Sequence, residues 1–338
     1  MKNKFLASAA MAVSMMAGSA YADGQLNLVC STQQDWCEKM VAEFERETGI
    51  DVKAVRKSTG ETLAQVRAEA SNPKIDVWWG GTGDPHLQAA ELGLSAQYDS
   101  PELGNLLGWA SNMHDISGGR TAGIYAGALG FGYNTEIFAE KGLEPPACWS
   151  DLLDPSYEDE IQMSNPHSSG TAYTVLATMT QLLGEDEAFK YLASLGNNIS
   201  SYTKSGSAPG KNVARGEAGI AIGFQHDMIK LAGEGFPIMI VSPCEGTGYE
   251  VGSVSIIEGA KNLENAQKWV DFALSAEGQE IGAKVKNYQV PSNSGAAMPK
   301  EAPDFASLKL IDYDFATYGS TDTRTKLLVR WDEEVGTN

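Results

Sequence analysis

Three short clusters of hydroxyl side chains and glycines each lie where an extended run gives way to a helix-like run. They are Ser58-Thr59-Gly60, Gly80-Gly81-Thr82-Gly83 and Ser168-Ser169-Gly170-Thr171. The first turn of a helix leaves backbone N–H groups unpaired and carries the positive end of the helix dipole. Glycine allows a ligand to approach the backbone, and serine and threonine add hydroxyl donors. Together with Ser31-Thr32 after the first predicted strand, the clusters predict a cradle for a phosphate-like anion.

A second set of residues suits a ligand that carries hydroxyl groups. His226-Asp227 follows an apolar predicted strand, and Glu245 lies in a later glycine-rich segment. Carboxylates accept hydrogen bonds from hydroxyls, and imidazole can donate or accept. In Trp78-Trp79 the two adjacent rings must point to opposite faces of their strand, so we expect one in the core and one, Trp79, beside a sugar ring. Core packing of both rings is the alternative.

The charge balance and the N-terminus indicate an exported, acidic protein. The 338 residues include 25 Lys and Arg against 44 Asp and Glu, a net charge of −19. Lys2 and Lys4 precede an apolar stretch, and Ala20-Tyr21-Ala22 fits the pattern of a cleavage site, so we predict a signal peptide over residues 1–22. Its removal leaves 23 basic residues and a charge of −21. Such a balance argues against a nucleic acid or an anionic membrane as the partner.

The four cysteines favour disulfides over a metal site. Cys30, Cys37, Cys148 and Cys244 form an even set in an exported chain and allow three pairings. We favour Cys30–Cys37 with Cys148–Cys244, because the first pair joins a strand end to the following helix. No pair has C-x-x-C spacing and the four histidines are scattered, so no metal is predicted. The connectivity stays open at this point.

The chain is longer than one hydrophobic core normally supports, so two lobes are expected. Strands and helices alternate; Trp36, Met40 and Phe44, for example, mark one face of a helix that Gly49 closes. This alternation predicts an α/β fold in which each lobe is a mostly parallel sheet flanked by helices.

Two segments, 124–134 and 237–254, contain runs of small residues or glycines and are predicted to cross between the lobes as hinges. Ordinary loops are the alternative. The predicted division is 23–127 with 252–300 for one lobe, 128–251 for the other, and a C-terminal helical segment, 301–338, whose lobe stays open.

Ligands of open α/β sheets bind beyond the carboxyl ends of the strands. All the hydroxyl and glycine clusters take that position, so we expect an anion in the cleft between the lobes. The sequence has no G-x-S-x-G elbow, P-loop, H-E-x-x-H or dinucleotide fingerprint. We therefore predict a binding protein without catalytic residues or a cofactor, and a secreted phosphoesterase is an alternative.

Four motifs together carry a family resemblance over nearly the whole exported chain. They are Ile75-Asp76-Val77-Trp78-Trp79, Ala128-Leu129-Gly130-Phe131-Gly132-Tyr133-Asn134, Trp149-Ser150-Asp151-Leu152-Leu153-Asp154 and Ser168-Ser169-Gly170-Thr171. The chain resembles the solute-binding proteins of ABC importers, in the cluster that includes periplasmic ferric-iron-binding proteins. The resemblance implies the type II two-lobed fold, a periplasmic location, a permease in the inner membrane as partner, and a monomer.

One departure from this cluster concerns the ligand. Ferric-iron binders carry adjacent tyrosines after the strand that ends here at Phe224, whereas this chain has Gln225-His226-Asp227, and Tyr202 has no tyrosine neighbour. The turn Gly80-Gly81-Thr82-Gly83-Asp84 and the His226-Asp227 pair are similar to the branch that binds hexose phosphates.

The resemblance to that branch implies a two-part site. Phosphate contacts are expected from Ser58, Thr59, Thr82, Ser168, Ser169, Gly170 and Thr171. Ser31, Thr32 and Gly81 are expected to contribute as further members of the anion cradle. Sugar contacts are expected from His226, Asp227 and Glu245, with Trp79 for stacking. A carrier of iron, or of iron with an anion, that uses His226, Asp227 and Glu245 is the alternative.

Overall fold

The computed structural model describes residues 24–336, so the predicted signal peptide lies outside the described residues. The strands are Gln25–Cys30 (β1), Asp51–Arg56 (β2), Val77–Thr82 (β3), Ala122–Asn134 (β4), Ile161–Ser164 (β5), Ile199–Thr203 (β6), Ile220–Phe224 (β7), Ile238–Val241 (β8), Tyr249–Ile256 (β9) and Val290–Pro291 (β10). The α-helices are Gln34–Thr48 (α1), Thr59–Ala68 (α2), Gly83–Glu91 (α3), Gly108–Ile116 (α4), Thr135–Lys141 (α5), Gly170–Leu183 (α6), Glu185–Leu195 (α7), Ala208–Ala214 (α8), Gln225–Gly233 (α9), Leu263–Leu274 (α10), Ala276–Lys284 (α11), Phe315–Tyr318 (α12) and Thr321–Arg330 (α13). Short 3₁₀ helices lie at Pro101–Asn105, Ser150–Leu153, Pro155–Tyr157, Gly196–Asn198 and Phe305–Ser307, and a π-helical turn at Trp331–Val335.

Helix α1 shows how local sequence positions these elements. Trp36, Met40 and Phe44 recur every four residues and are buried, so they form the core-facing stripe of an amphipathic helix. Gly49 ends the helix with φ 71°, and its N–H donates to the carbonyl of Glu45. A left-handed glycine is the usual helix terminator because it lacks a Cβ. Both features of this helix agree with the sequence prediction.

The strands form two halves of one continuous sheet, ordered β2-β1-β3-β9-β4-β7-β5-β6, with β8 and β10 also paired to β4. In the first half β2, β1 and β3 are parallel, and in the second half β7, β5 and β6 are parallel. Strands β4, β8, β9 and β10 pair antiparallel to their neighbours. The expected parallel order therefore holds within each half, and the antiparallel pairs occur around the strands that connect the halves.

Strand β4 passes from one half of the molecule to the other. Residues 122–128 pair with β9, whereas residues 129–134 pair with β7 and β8. The connection from β8 to β9 makes the second crossing. We name the half with β1, β2, β3, β9 and β10 lobe 1, and the half with β5, β6, β7 and β8 lobe 2. This confirms the two-lobed α/β fold with two crossing segments.

Each lobe has its own hydrophobic core. Trp36, Trp79 and Trp269 lie in the core of lobe 1, and Phe131 and Phe189 lie in that of lobe 2. Burial of aromatic side chains supplies much of the driving force for packing. The helices on both faces of each sheet complete the layers that the alternating sequence predicts.

The C-terminal segment contacts both lobes. Tyr313 and Phe315 pack with Leu87 of α3 in lobe 1, whereas Leu327 and Trp331 are buried in the core of lobe 2. The segment therefore adds a third connection between the lobes.

Both favoured disulfides are present, Cys30–Cys37 in lobe 1 and Cys148–Cys244 in lobe 2. Within residues 24–336, the helices are all too short or too polar to cross a bilayer.

Candidate functional site: a cavity between the lobes

The loops that follow β1, β2 and β3 of lobe 1 face those that follow β5, β6 and β7 of lobe 2, and a cavity lies between them. Part of this cavity is open to solvent. Its lining residues are Ser31, Thr32, Gln33, Arg56, Ser58, Thr59, Gly81, Thr82, Tyr125, Ser169, Gly170, Thr171, Gly206, Ser207, Phe224, His226, Asp227, Glu250 and Gln289.

Six helices begin at these loops: α1, α2 and α3 from lobe 1, and α6, α8 and α9 from lobe 2. The free N–H groups of a helix N-terminus and its partial positive charge attract anions. Ser58 caps α2 in a capping box with Glu61, and Ser169 caps α6 by accepting from the N–H of Ala172. The caps fix the loops and leave other donors for a ligand.

Threonine hydroxyls and glycines from the two lobes meet at one end of the cavity. A Cβ on Gly170 would lie 2.0 Å from Thr82 Oγ1 and 2.9 Å from Thr59 Oγ1, and a Cβ on Gly81, which has φ 80°, would lie 2.6 Å from Thr59 Oγ1. Glycine is therefore required at both positions in this closed arrangement. Thr82 Oγ1 is buried and has no hydrogen-bond partner within the protein, so it is available to a ligand.

Arg56 is the one lysine or arginine among the described residues that line the cavity. Its Nε donates to the carbonyl of Thr32 at 3.1 Å and its Nη2 donates to Ser205 Oγ of lobe 2 at 3.2 Å. Burial lowers the pKa of this guanidinium, against the attraction of Asp227 and Glu61. The side chain stays charged, because an arginine pKa begins far above neutrality.

At the other end, an imidazole lies between two carboxyl groups. His226 Nε2 is 3.9 Å from Asp227 Oδ1 and 3.8 Å from Glu250 Oε1. His226 Nδ1 is buried without a partner, and a Cβ on Gly127 would lie 2.5 Å from it, so β4 leaves room for the ring. His226, Asp227 and Glu250 all line the cavity, where their polar groups can bind hydroxyls.

Burial sets the protonation of this end. It lowers the pKa of His226, which keeps the imidazole neutral, although Asp227 opposes the shift. Burial, with the charges of Asp227 and Asp84, raises the pKa of Glu250 well above its ordinary value. A neutral Glu250 carboxyl can donate one hydrogen bond and accept others.

Tyr125 lies on β4, the crossing strand. Its hydroxyl accepts from the N–H of Gly81 at 2.8 Å, and burial raises its pKa well above the ordinary value. The phenol therefore stays neutral and holds the glycines at the end of β3.

The lobes touch each other around the cavity. The N–H of Gly60 in lobe 1 donates to the carbonyl of Ser168 in lobe 2 at 3.1 Å, and the amide of Gln33 donates to the carboxylate of Asp227. These contacts define a closed arrangement of the two lobes.

The structure places three of the predicted site residues elsewhere. Ser168 uses its carbonyl for Gly60 and its hydroxyl for the carbonyl of Lys204. Glu245 accepts from the N–H groups of Trp149 and Ser150, both at 2.8 Å, so it caps a short helix of lobe 2. It therefore does not reach the cavity.

The two adjacent tryptophans are also absent from the cavity wall. Trp79 packs edge-on against Trp36 at 5.3 Å and lies in the core of lobe 1. Trp78 stacks on His86 at 3.8 Å and donates to Ser31 Oγ. Because β3 lies between β1 and β9 and is covered on both faces, neither ring is free to stack on a ligand.

The other predicted residues line the cavity together with eight that the sequence prediction missed, namely Gln33, Arg56, Tyr125, Gly206, Ser207, Phe224, Glu250 and Gln289. Gln33, Arg56, Gly206 and Ser207 border strand-to-helix loops, so the rule that found their neighbours could have found them. Tyr125 lies within β4 and Glu250 within β9, and no local motif marks them.

A family model of bacterial extracellular solute-binding proteins matches residues 72–317. Among curated proteins, an uncharacterised protein from Haemophilus influenzae is 46% identical over 332 residues, which cover 98% of this chain and 95% of that protein.

Two solved structures are similar over nearly the whole described chain. The periplasmic binding protein AfuA from Actinobacillus pleuropneumoniae, with exogenous fructose-6-phosphate bound, has 46% identity and a TM-score of 0.91, and the match covers 93% of this chain and 99% of that one. The periplasmic binding protein P5PA has 38% identity and a TM-score of 0.90, with 93% and 100% covered.

Proposed function

Because the chain belongs to the family of bacterial extracellular solute-binding proteins, we propose that it is the periplasmic receptor of an ABC importer and that its ligand is a phosphorylated sugar. The observation that carries the proposal is the division of the cavity into an end rich in uncharged donors and an end with carboxyl groups and an imidazole. The fructose-6-phosphate in the AfuA structure supports the same ligand class.

The phosphate binds among Thr59, Thr82, Gly170 and Thr171, where hydroxyls and backbone N–H groups converge. The N-termini of α2, α3 and α6 provide favourable dipoles at this end. Arg56 adds the single full positive charge of the cavity. A phosphate ester satisfies these donors better than a neutral sugar does, because each N–H or hydroxyl gains a charged acceptor.

The sugar hydroxyls bind to Asp227, His226 and Glu250. The carboxyl oxygens of Asp227 accept from hydroxyls, and a neutral Glu250 both donates and accepts. These groups give orientation to the ligand, because a hydroxyl that is absent leaves a buried polar group unpaired.

Lobe closure links binding to transport. A ligand that contacts both lobes stabilises the closed form over the open one. The permease of the inner membrane then recognises the closed form and receives the ligand. The limits of the lobes, 23–127 with 252–300 and 128–251, remain our proposed division.

Isothermal titration calorimetry tests the ligand class. We expect fructose 6-phosphate or glucose 6-phosphate to bind, and free fructose and inorganic phosphate each to bind at least about a hundredfold more weakly, because each occupies only one end of the cavity. Asp227→Asn is expected to weaken the sugar phosphate and to leave binding of inorganic phosphate unchanged. If no sugar phosphate binds, the proposal is wrong.

Two further measurements separate the alternatives. A ferric carrier would show a coloured complex on addition of ferric salt that His226→Ala abolishes. The structure disfavours that carrier, because Glu245, one of its three expected ligands, accepts from the N–H groups of Trp149 and Ser150 and does not line the cavity. A secreted phosphoesterase would release inorganic phosphate from the bound ester, whereas a receptor returns it unchanged.

A further inference from the structure

Two ion pairs join the lobes outside the cavity wall. Lys204 Nζ of lobe 2 is 2.6 Å from Glu61 Oε1 of lobe 1, and Lys230 of lobe 2 pairs with Asp35 of lobe 1. None of these four residues lines the cavity. We propose that the two pairs form an electrostatic clasp that holds the lobes closed and thereby raises the affinity for the ligand. The statement about affinity rests on the proposed function.

The two residues of the first pair lie close in sequence to residues that line the cavity. Glu61 follows Thr59 on α2, and Lys204 begins the loop that carries Gly206 and Ser207. A movement that brings these wall residues together therefore also brings Glu61 and Lys204 together. The carbonyl of Lys204 accepts from Ser58 Oγ of lobe 1 at 3.5 Å, which adds a second contact at this point.

The two residues of the second pair also lie close in sequence to residues that line the cavity. Asp35 lies in the first turn of α1 after Gln33, and Lys230 lies one turn after His226 and Asp227 on α9. Lys230 Nζ also donates to the carbonyl of Val285 in lobe 1 at 3.1 Å. The Lys230 side chain is 16% exposed and that of Asp35 is 47% exposed, so solvent and salt screen this pair in part.

The electrostatics of Glu61 agree with its pairing. Burial acts to raise its pKa, but the hydrogen bonds from Lys204 and from the N–H of Ser58 outweigh burial, and the pKa is lowered. The carboxylate is therefore charged in the closed arrangement. Each pair exists only while the lobes touch, so its interaction energy favours the closed population.

The net negative charge of the protein makes these two attractive pairs important for closure of the lobes. The chain carries 44 acidic residues against 25 basic ones, and such an excess of negative charge opposes compact arrangements through self-repulsion. Two lysines of lobe 2 placed opposite two carboxylates of lobe 1 offset that repulsion. Lys204 and Lys230 act as positioning residues, because they set the distance between the lobes without touching the ligand.

The test uses Lys204→Met and Lys230→Met in the full exported chain, with fructose 6-phosphate as the probe. Each substitution is expected to weaken binding about fivefold through faster dissociation, and the loss should shrink at high salt because the wild-type pairs are then screened. Lys190→Met is the matched control, since Lys190 pairs with Glu187 inside lobe 2 and its loss should leave affinity unchanged. Unchanged affinity and salt dependence in both clasp variants overturn the proposal.

A double-mutant cycle distinguishes pairing from any other effect of Lys204. Glu61→Gln keeps a side-chain acceptor for the N–H of Ser58 and removes the charge that faces Lys204, so it should weaken binding about as much as Lys204→Met does. The variant with both substitutions should bind no more weakly than either single variant, because each substitution removes the same pair. Losses that add in the double variant, while it remains folded, contradict the pairing.

Small-angle X-ray scattering of the ligand-free protein separates this proposal from the proposed ligand. The variant with both lysines replaced should have a larger radius of gyration than wild type at low salt. If wild type binds no sugar phosphate but the variant still has the larger radius of gyration, the ligand class is wrong and the clasp is supported. If wild type binds no sugar phosphate and the radius of gyration is the same in both proteins, the ligand class and the clasp are both wrong.

Discussion

Gly170 of lobe 2 lies so close to Thr82 of lobe 1 that a Cβ on the glycine would be 2.0 Å from the threonine Oγ1. The two residues belong to different lobes, so this contact exists only in the closed arrangement. A side chain at position 170 must therefore displace the threonine or hold the lobes apart.

Gly170→Ala is accordingly expected to weaken ligand binding by at least about tenfold, while the free energy of unfolding changes by less than about 1 kcal/mol, because opening of the lobes relieves the clash. Gly210→Ala is the control, since a Cβ there would lie 3.4 Å from Met228 Cγ, which is ordinary contact. Calorimetry with fructose 6-phosphate and urea denaturation measure the two quantities. Wild-type affinity in Gly170→Ala would mean that the closed arrangement is not the one that binds ligand.

Glu245 and Asp227 are expected to respond in opposite ways to replacement by alanine. Glu245→Ala removes the acceptor of the N–H groups of Trp149 and Ser150, so we expect a loss of about 1–2 kcal/mol in the free energy of unfolding and no change in affinity. Asp227→Ala removes a carboxylate from the cavity wall and should lower affinity with little change in stability. A large loss of affinity in Glu245→Ala would show that Glu245 contacts the ligand, contrary to its position in the structure.

The strand and helix alternation could be predicted because it depends on local patterns, and so could the hydroxyl and glycine loops at the strand ends. Trp79 shows where the local rule fails. The alternation of side chains along a strand predicts that the Trp79 ring faces away from that of Trp78. Only the tertiary structure shows that α-helices cover both faces of β3. Glu250 was missed for a similar reason, because it lies at the start of β9, just after the second crossing, and only the fold brings it to His226.

The two disulfides are expected to contribute unequally to stability. Cys30–Cys37 spans 7 positions in sequence and Cys148–Cys244 spans 96. Loop-closure entropy then predicts a loss of about 2.5 kcal/mol for the first pair replaced by serines and about 4.7 kcal/mol for the second. Urea denaturation of the two double variants measures both values.

The variant without Cys30–Cys37 should lose more ligand affinity than the variant without Cys148–Cys244, which is the reverse of the order expected for stability. Cys30–Cys37 closes the loop that carries Ser31, Thr32 and Gln33 into the cavity, so its loss should weaken the ligand more. If the Cys148–Cys244 variant shows the larger loss of affinity, the loop after β1 does not depend on its disulfide.

Asp84 predicts a distinctive pH dependence of stability. It is fully buried on α3, its Oδ1 accepts from the hydroxyl of Tyr313 at 3.2 Å, and its Oδ2 has no partner. Burial raises the pKa of Asp84 from 3.8 to about 6. The folded protein therefore holds this proton more tightly than the unfolded chain does, so the stabilisation is fully present below pH 3.8 and is lost as pH rises through about 6.

Asp84→Asn keeps the shape of the side chain but cannot ionise. The free energy of unfolding of the variant, minus that of wild type, should rise by on the order of 3 kcal/mol between about pH 4 and pH 7. The reason is that the wild-type carboxyl must ionise while buried, whereas the amide of the variant stays neutral. Urea denaturation across this range provides the measurement.

Asp76→Asn is the matched comparison with the opposite sign. Burial acts to raise the pKa of Asp76, but hydrogen bonds from Asn262 and Asn27 outweigh it and the pKa is lowered. Wild type therefore gains stability from Asp76 above pH 3.8 and loses it on acidification, so Asp76→Asn should be most damaging near neutral pH. Parallel pH curves for wild type and Asp84→Asn would show that the Asp84 carboxylate is solvated in solution, contrary to its burial between α3 and Tyr313.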